Sequence, residues 1–253
     1  MLMQTVSLYD TLELIKSDSS AFILDDILQD DPGKNLAWRA FEAIRSYTGS
    51  DIKAVIKLNK RIPSAAGLGG GSSDCAGVLQ AINTLFGLNI STNEMNKIAV
   101  SLGADVPFFL QGGLCRVKGI GEDVERIRST AKFPLLIVHC GGGLSTPAVY
   151  KKYDCLLNDA IQDYKLSTTE VLRSISSGKI RNLRELSLNH LEAPAVCMMP
   201  EIAEVKRRMY ACGAVFSQMS GSGSAVYGIF DTKKAALEAA GEFPGSFFCE
   251  TIS

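Results

Sequence analysis

The sequence lacks most of the features that mark nucleic-acid-binding and membrane proteins. Its 253 residues carry 26 basic and 27 acidic side chains, so the formal net charge is -1 and no basic surface is indicated. No apolar run approaches the ~20 residues that a membrane helix needs. Residues 1–14 lack the basic-then-apolar layout of a secretion signal. We therefore expect neither a nucleic-acid partner nor a membrane partner.

Metal-binding and disulfide patterns are also missing. There are 2 histidines, which argues against a zinc site, and no metal ligand is assigned. The 7 cysteines are scattered, odd in number and without a Cys-x-x-Cys pair, which is typical of reduced thiols in the cytoplasm. A hydrophobic content of 46% is ordinary for a globular chain of one large domain or two smaller ones.

What the sequence does have is a glycine-rich stretch over residues 63–74 (PSAAGLGGGSSD). Its 4 glycines in 5 positions remove nearly every Cβ, so backbone N–H groups can close around an anion. Residues 52–60 alternate like a half-buried strand, and residues 73–86 have helical spacing. A strand, a glycine turn and a helix start direct free amides and the helix dipole at one point. Because Lys57, Lys60 and Arg61 add positive charge nearby, we predict a triphosphate-binding loop.

Two common phosphate motifs do not fit this stretch. A Walker A loop needs a lysine directly after the glycines, and none is present. The dinucleotide fingerprint needs a third glycine where Ser72 stands. A glycine turn that only connects a strand to a helix remains the structural alternative.

The stretch resembles the phosphate-binding motif of the GHMP kinases. Further segments of that family are matched by residues 102–109 (LGADVPFF) and 219–224 (MSGSGS). Residues 145–150 (STPAVY), and residues 188–192 (LNHLE) followed by Pro200, are similar to one member group of the family. The resemblance spans most of the chain in the expected order.

The resemblance implies an α+β, two-domain GHMP kinase fold with the active site in the cleft between the lobes. It places an ATP-binding domain at 1–130 and an α+β domain at 131–253. The local patterns predict one strand over 3–16, a helix from 36 with Asn35 as N-cap, and a capped helix from Ser91. They also predict a hairpin at 112–127, a strand at 133–139, and alternating helices and strands to the end of the chain.

Phosphoryl transfer needs charge neutralisation and a group that frees the acceptor hydroxyl of its proton. Asp105, between Gly103 and Pro107, is the candidate base, although an aspartate two residues ahead of a proline is also an ordinary turn or N-cap residue. By resemblance, Asp105 is the catalytic base. Ser72 and Ser73 allow either phosphate binding or N-capping of the following helix.

The resemblance also assigns binding roles. Nucleotide binding is assigned to Asn35, Pro63, Ser64, Ala65, Ala66, Gly67, Leu68, Gly69, Gly70, Gly71, Ser72 and Ser73. Substrate binding is assigned to Thr146, Tyr150, Gly221 and Gly223, with the first two at the cytidine. The implied cofactor is ATP with Mg²⁺, the implied substrate is a cytidine diphosphate-linked methylerythritol, and we expect a monomer or weak homodimer.

The family's opening Pro-x-Lys-x-Asn motif and its Gly-Tyr-His segment are absent from this sequence, either through a misassigned start codon or a truncated gene. The resemblance implies ATP-dependent phosphorylation of the 2-hydroxyl of the methylerythritol substrate as the leading function. Two alternatives stay open: a GHMP kinase for homoserine, mevalonate or a sugar, and a non-catalytic nucleotide-binding protein, which the missing lysine favours.

Because the family's active-site lysine is missing, we expect this chain to bind ATP weakly and to phosphorylate slowly, by a factor on the order of 10²–10³. The measurement is turnover beside that of a version extended through the upstream motif. Equal turnover of the two would contradict the expectation.

Overall fold

The structure, a computed structural model, describes residues 1–157 and 168–253. The chain groups into two compact units, Met1–Ile62 with Gly69–Ile127 and Pro63–Leu68 with Arg128–Ser253. Each unit contains both helices and sheets, which confirms the predicted α+β class. The domain division at residue 130 stays a prediction, because a grouping of contacts does not test independent folding. None of the helices in the described ranges combines the length and the apolar composition of a membrane span.

The first unit contains seven described strands and four described α-helices. Their bounds are β1 (Leu2–Gln4), β2 (Thr11–Lys16), β3 (Ala21–Leu24), β4 (Ile27–Leu28), α1 (Leu36–Thr48), β5 (Ala54–Asn59), α2 (Gly70–Phe86), α3 (Thr92–Leu102), α4 (Val106–Gln111), β6 (Leu114–Lys118) and β7 (Asp123–Ile127). One sheet has the strand order β2-β5-β3-β4, with β3 parallel to β5, and the other has the order β1-β6-β7. The predicted hairpin at 112–127 is confirmed as β6 and β7.

The prediction of one strand over residues 3–16 is wrong. The segment forms β1, which pairs with β6, and β2, which pairs with β5 in the other sheet. Asp10 lies in the connection between β1 and β2 and belongs to neither strand. Its carboxylate accepts hydrogen bonds from the backbone N–H groups of Arg61 and Ile62 at 2.5 and 2.8 Å. Two short strands with the same alternation of apolar and polar residues look like one long strand in the sequence, because that alternation does not show which strand each segment pairs with.

Helices α1 and α3 of the first unit start where the capping patterns predict. Asn35 caps α1 by accepting the N–H of Ala37 at 2.9 Å, and α1 buries Phe41 and Ile44 against α2. Ser91 and Glu94 form a reciprocal capping box at the start of α3. These contacts satisfy amides at the start of each helix that would otherwise lack partners.

The second unit is built on one antiparallel sheet with the order β11-β8-β10-β9. Its bounds are β8 (Pro134–His139), α5 (Thr146–Leu157), α6 (Thr168–Ser176), α7 (Leu183–Leu186), α8 (Glu192–Met198), α9 (Glu201–Ala211), β9 (Phe216–Met219), β10 (Ala225–Ile229), α10 (Lys233–Ala240) and β11 (Phe247–Glu250). The apolar residues of α9 and α10 pack with Leu136 of β8 in one core.

The first half of the glycine stretch, Pro63–Leu68, is held in the second unit by the turn between β9 and β10. The N–H of Ala225 donates to the carbonyl of Ala66 at 2.9 Å, and Ser220 Oγ donates to the carbonyl of Gly67 at 2.8 Å. A Cβ on Gly67 would lie 2.2 Å from the carbonyl oxygen of Ser220, and its φ is +74°. Both the space and the backbone conformation therefore require glycine at position 67.

Gly67→Ala should lower the free energy of unfolding by ~3 kcal/mol, because the methyl group is strained at positive φ and collides with backbone. Gly71→Ala is the matched control, since a Cβ on Gly71, near the start of α2, meets nothing within 4 Å. The control should be neutral or stabilising by up to ~1 kcal/mol. Urea denaturation of both variants measures the difference, and equal losses would contradict the proposed close approach.

Candidate active site

Asp105 stands at the start of α4, but its side chain does not cap that helix. The residue is half-buried, with φ -90° and ψ -12°, and no side-chain capping bond is formed at this helix start. Asp105 therefore occupies the N-cap position, as the capping alternative expects, but without the side-chain hydrogen bond of a cap. Burial raises the pKa of the Asp105 carboxyl above its ordinary value. A carboxylate in such surroundings is suited to accept a proton.

Helix α4 connects Asp105 to the second half of the glycine stretch within the first unit. Phe109 lies one helical turn, ~5.4 Å, beyond the start of α4. A Cβ on Gly69 would lie 2.7 Å from the ring of Phe109. Gly69 has φ +69° and is the N-cap residue of α2. Glycine at position 69 therefore lets the start of α2 pack closely against α4.

Gly121, which was not among the predicted site residues, supports the turn before Asp105. A Cβ on Gly121, whose φ is +112°, would lie 1.9 Å from the carbonyl oxygen of Ala104. The loop between β6 and β7 therefore lies against the residue before Asp105. Glycines with positive φ are common in hairpin loops, so this contact had no distinct signal in the sequence.

Helix α2 begins earlier than the helical spacing predicts. It starts at Gly70 with Gly69 as N-cap, so the N-cap alternative for Ser72 and Ser73 is wrong. Ser73 Oγ donates to the carbonyl of Gly70 at 2.7 Å, and the N–H of Ser73 donates to the carbonyl of Gly69. The backbone amides at the very start of α2 precede the first helical hydrogen bonds and can bind an anion.

Two of the three basic residues expected to attract phosphate are neutralised by carboxylates. Lys57 Nζ pairs with Glu13 at 3.2 Å on the surface. Lys60 Nζ contacts the carboxylates of both Asp10 and Asp74. The positive charge that Lys57 and Lys60 add near the loop is therefore offset by carboxylates, whereas Arg61 is exposed.

The charge cluster around Lys60 has unequal protonation equilibria. Burial opposes the charged form of Lys60, yet Asp10 and Asp74 together raise its pKa. Burial raises the pKa of Asp74 to about 6, more than Lys60 lowers it. The pKa of Asp10 is lowered despite its burial, because Lys60 and two backbone amides donate to it. One ammonium cannot fully compensate two carboxylates, so Asp74 titrates first as the pH falls.

Asn35 lies at the start of α1, where the cap interaction with Ala37 occupies its Oδ1. Its predicted place near the base of the nucleotide stays a prediction.

The predicted substrate residues of the second unit lie around one turn. Thr146, the first residue of α5, shares a 2.7 Å hydroxyl–hydroxyl hydrogen bond with Ser222. Ser222 lies between Gly221 and Gly223, whose φ values are +53° and +87°. Tyr150 follows Thr146 by one turn of α5, and its side chain is 52% exposed. An exposed aromatic ring of this kind can stack on a flat base.

Asn189 and Glu192, to which no role was assigned from the sequence, hold this turn in place. Asn189 Nδ2 donates to the carbonyls of Met219 and Gly221 at 3.0 and 2.7 Å. Glu192 accepts the N–H of Met219 at 3.0 Å and pairs with Lys206. The LNHLE segment at 188–192 was the available signal, because both residues lie in it.

The structure thus places the predicted residues in two groups, one in each unit. The first unit holds Asn35, Gly69, Gly70, Gly71, Ser72, Ser73 and Asp105. The second holds Pro63, Ser64, Ala65, Ala66, Gly67, Leu68, Thr146, Tyr150, Gly221 and Gly223. Ala65 has a positive φ of 52°, which is costly for a residue with a side chain and often accompanies functional loops.

Comparisons with known proteins agree with this geometry. The model of the GHMP kinases N terminal domain matches residues 35–113, and that of the GHMP kinases C terminal matches residues 171–248. The chain is 35% identical to 4-diphosphocytidyl-2-C-methyl-D-erythritol kinase of Thermodesulfovibrio yellowstonii, over 99% of this chain and 87% of that one. It is 38% identical to the enzyme of the same name from Caldicellulosiruptor saccharolyticus, over 94% and 82% of the two chains.

A solved structure points the same way. The crystal structure of a 4-(cytidine 5'-diphospho)-2C-methyl-D-erythritol kinase superposes with a TM-score of 0.82 at 32% identity, covering 100% of this chain and 89% of that one. From these matches, together with the glycine turn and the carboxylate at the start of α4, we conclude that the chain belongs to the 4-diphosphocytidyl-2-C-methyl-D-erythritol kinase family of the GHMP kinases.

Proposed function

We propose that this protein transfers the γ-phosphoryl group of ATP to the 2-hydroxyl of 4-diphosphocytidyl-2-C-methyl-D-erythritol. This reaction belongs to the non-mevalonate route to isoprenoid precursors. The observation that carries the proposal is Asp105, a half-buried carboxylate that forms no side-chain capping bond and whose helix packs on the glycine turn. The names of the curated relatives supply the acceptor.

The glycine stretch is assigned to the phosphates of ATP. A Cβ on Gly71 would meet nothing within 4 Å, so the backbone N–H groups at the start of α2 are accessible there. The start of α2 adds the positive end of its helix dipole. These groups stabilise the negative charge of the transferred phosphoryl group without any lysine at the loop.

Mg²⁺ would supply further neutralisation of the phosphate charge. In the parts of the chain that the structure describes, no three histidine, cysteine or acidic side chains cluster to hold a metal. Kinase Mg²⁺ is usually held by substrate phosphates with one or two carboxylates, so this chain is compatible with Mg²⁺ carried by ATP. No residue is assigned as its ligand.

Asp105 is assigned to the acceptor hydroxyl, from which it would take the proton as the phosphoryl group is transferred. Thr146 and Tyr150 are assigned to the cytidine, the first by hydrogen bonding and the second by stacking. Gly221 and Gly223 shape the turn beside Thr146. The seven cysteines form no disulfide, which fits the proposed location in the cytoplasm.

Asp105→Asn should reduce kcat by a factor on the order of 10²–10⁴ and leave ATP affinity unchanged, because the amide cannot accept the proton. Steady-state kinetics with the methylerythritol acceptor and calorimetry with ATP measure the two effects. Asp123→Asn, an exposed change on β7, is the matched control and should behave as the parent chain.

Three results would contradict the proposal. Full turnover of Asp105→Asn would remove the assigned base. Faster phosphorylation of homoserine, mevalonate or a sugar by the parent chain would change the acceptor. ATP binding without transfer to any acceptor would favour the non-catalytic alternative.

The pH dependence of kcat gives a separate test. Burial raises the pKa of Asp105 above 3.8, and only the deprotonated form accepts a proton, so kcat should fall with decreasing pH around a midpoint above 3.8. Measurements at saturating ATP and acceptor from about pH 4 to about pH 8 locate that midpoint. Asp74→Asn should leave the midpoint unchanged. A midpoint that disappears in this control variant would assign the titration to Asp74 instead.

A further inference from the structure

Three charged side chains of the first unit meet beside the start of α2. Lys60 Nζ donates to Asp74 Oδ2 at 2.7 Å and also to a carboxylate oxygen of Asp10. The side chains of Lys60, Asp10 and Asp74 are 19%, 3% and 6% exposed. The cluster is therefore largely removed from water. In such an interior environment charge–charge interactions are stronger than in water, and their geometry is well defined.

The ion pair joins the two ends of the glycine stretch. Lys60 directly follows β5, and Asp74 lies one turn into α2, so the pair spans the chain segment that contains Pro63–Ser73. Lys60 Nζ also lies 3.4 Å from the position that a Cβ on Gly70 would occupy. The ammonium therefore lies against the first residue of α2.

Asp10 fixes the entry to the same segment. Besides Lys60, its carboxylate accepts the backbone N–H groups of Arg61 and Ile62, the two residues before Pro63. The cluster thus holds the chain at both ends of the glycine stretch, at the residues before Pro63 and at Asp74, its last residue.

Neither of the two ordinary roles accounts for this arrangement. Lys60 is unsuited as a phosphate ligand, because two carboxylates already occupy its ammonium. Net stabilisation is a weak reason as well, since removing charges from water offsets most of the attraction in a buried pair. A defined geometry is what a buried ionic cluster can provide.

We propose that Lys60, Asp10 and Asp74 form a charged staple that sets the geometry of the nucleotide loop, with Lys60 as a positioning residue and not a phosphate ligand. This inference rests on the proposed function only in assigning ATP to the loop. It follows that weakening the staple affects the binding of phosphates. The affinity for adenosine, the affinity for the acceptor and kcat at saturating ATP should be unaffected.

The test uses Asp74→Asn in the full chain, because this change keeps the shape of the side chain and leaves Lys60 paired with Asp10. Calorimetry with ATP·Mg²⁺ should show Kd raised about tenfold, the effect of losing a bond to a charged group. With adenosine as the probe, Kd should not change. KM for the methylerythritol acceptor and kcat at saturating ATP should also stay at the parent values.

Thermal unfolding separates positioning from general support of the fold. At pH 7.5 the melting temperature of Asp74→Asn should stay within ~3 °C of the parent, because the variant also removes a buried carboxylate that is costly to ionise. Lys60→Arg keeps the charge and should retain most of the ATP affinity, which makes it the conservative variant. Lys57→Met is the matched control on β5, since Lys57 forms only a surface pair with Glu13.

Several outcomes would overturn the inference. They are an equal loss of ATP and adenosine affinity, an unchanged ATP affinity in Asp74→Asn, and a Lys57→Met effect as large as that of Asp74→Asn. The proposed function is tested separately by transfer to the acceptor in the parent chain. ATP binding without transfer would overturn the function alone, and a parent chain that binds no ATP would overturn both.

Discussion

The close approach of backbone to backbone at Gly67 is the constraint on which the rest of the second unit's site depends. The carbonyl of Ser220 lies where a side chain at position 67 would begin, and the turn of Gly221 and Gly223 follows directly. Because Ser222 in that turn bonds to Thr146, the start of α5 is placed by the same contact. Asn189 and Glu192 also hold the turn, through the carbonyls of Met219 and Gly221 and the N–H of Met219. Glycine at one position therefore lets four segments of the chain meet.

In the first unit the backbone, and not the lysine side chains, supplies most of the positive potential near the glycine stretch. A triphosphate site could be expected to rely on lysines, yet Lys57 and Lys60 are both paired with carboxylates. The positive potential for an anion then comes mainly from amides and from the dipole of α2, which are fixed by the backbone. Within residues 1–157 and 168–253 no basic side chain pairs with the carboxylate of Asp105, and burial raises its pKa. The two kinds of group are suited to opposite tasks, holding phosphate charge and taking up a proton.

Sequence patterns predict local structure here because the signals are local. Asn35, Ser91 and Glu94 mark helix starts that the structure confirms, and the hairpin of β6 and β7 is also found where predicted. The break between β1 and β2 was missed, since both strands alternate in the same way while pairing in different sheets. The start of α2 was placed too late, because glycines are poor helix formers and only the backbone shows that Gly70 is helical.

Only part of the candidate site could be predicted from the sequence. The glycine stretch and Asp105 stand out by motif, and their roles remain proposals. The staple could not be found by spacing, because Asp10 and Asp74 are far apart in sequence and meet Lys60 only after the sheet and α2 have formed. For the same reason Gly121 has no visible link to Ala104 before folding.

The hydroxyl pair of Thr146 and Ser222 has a consequence of its own. Either oxygen can be the donor in their 2.7 Å bond, so the direction of the bond can reverse by rotation of two O–H groups alone. In one direction the exposed Thr146 keeps a lone pair for an incoming N–H, and in the other it turns its own hydrogen outward. A single rigid arrangement of heavy atoms can thus present either polarity to what binds beside it.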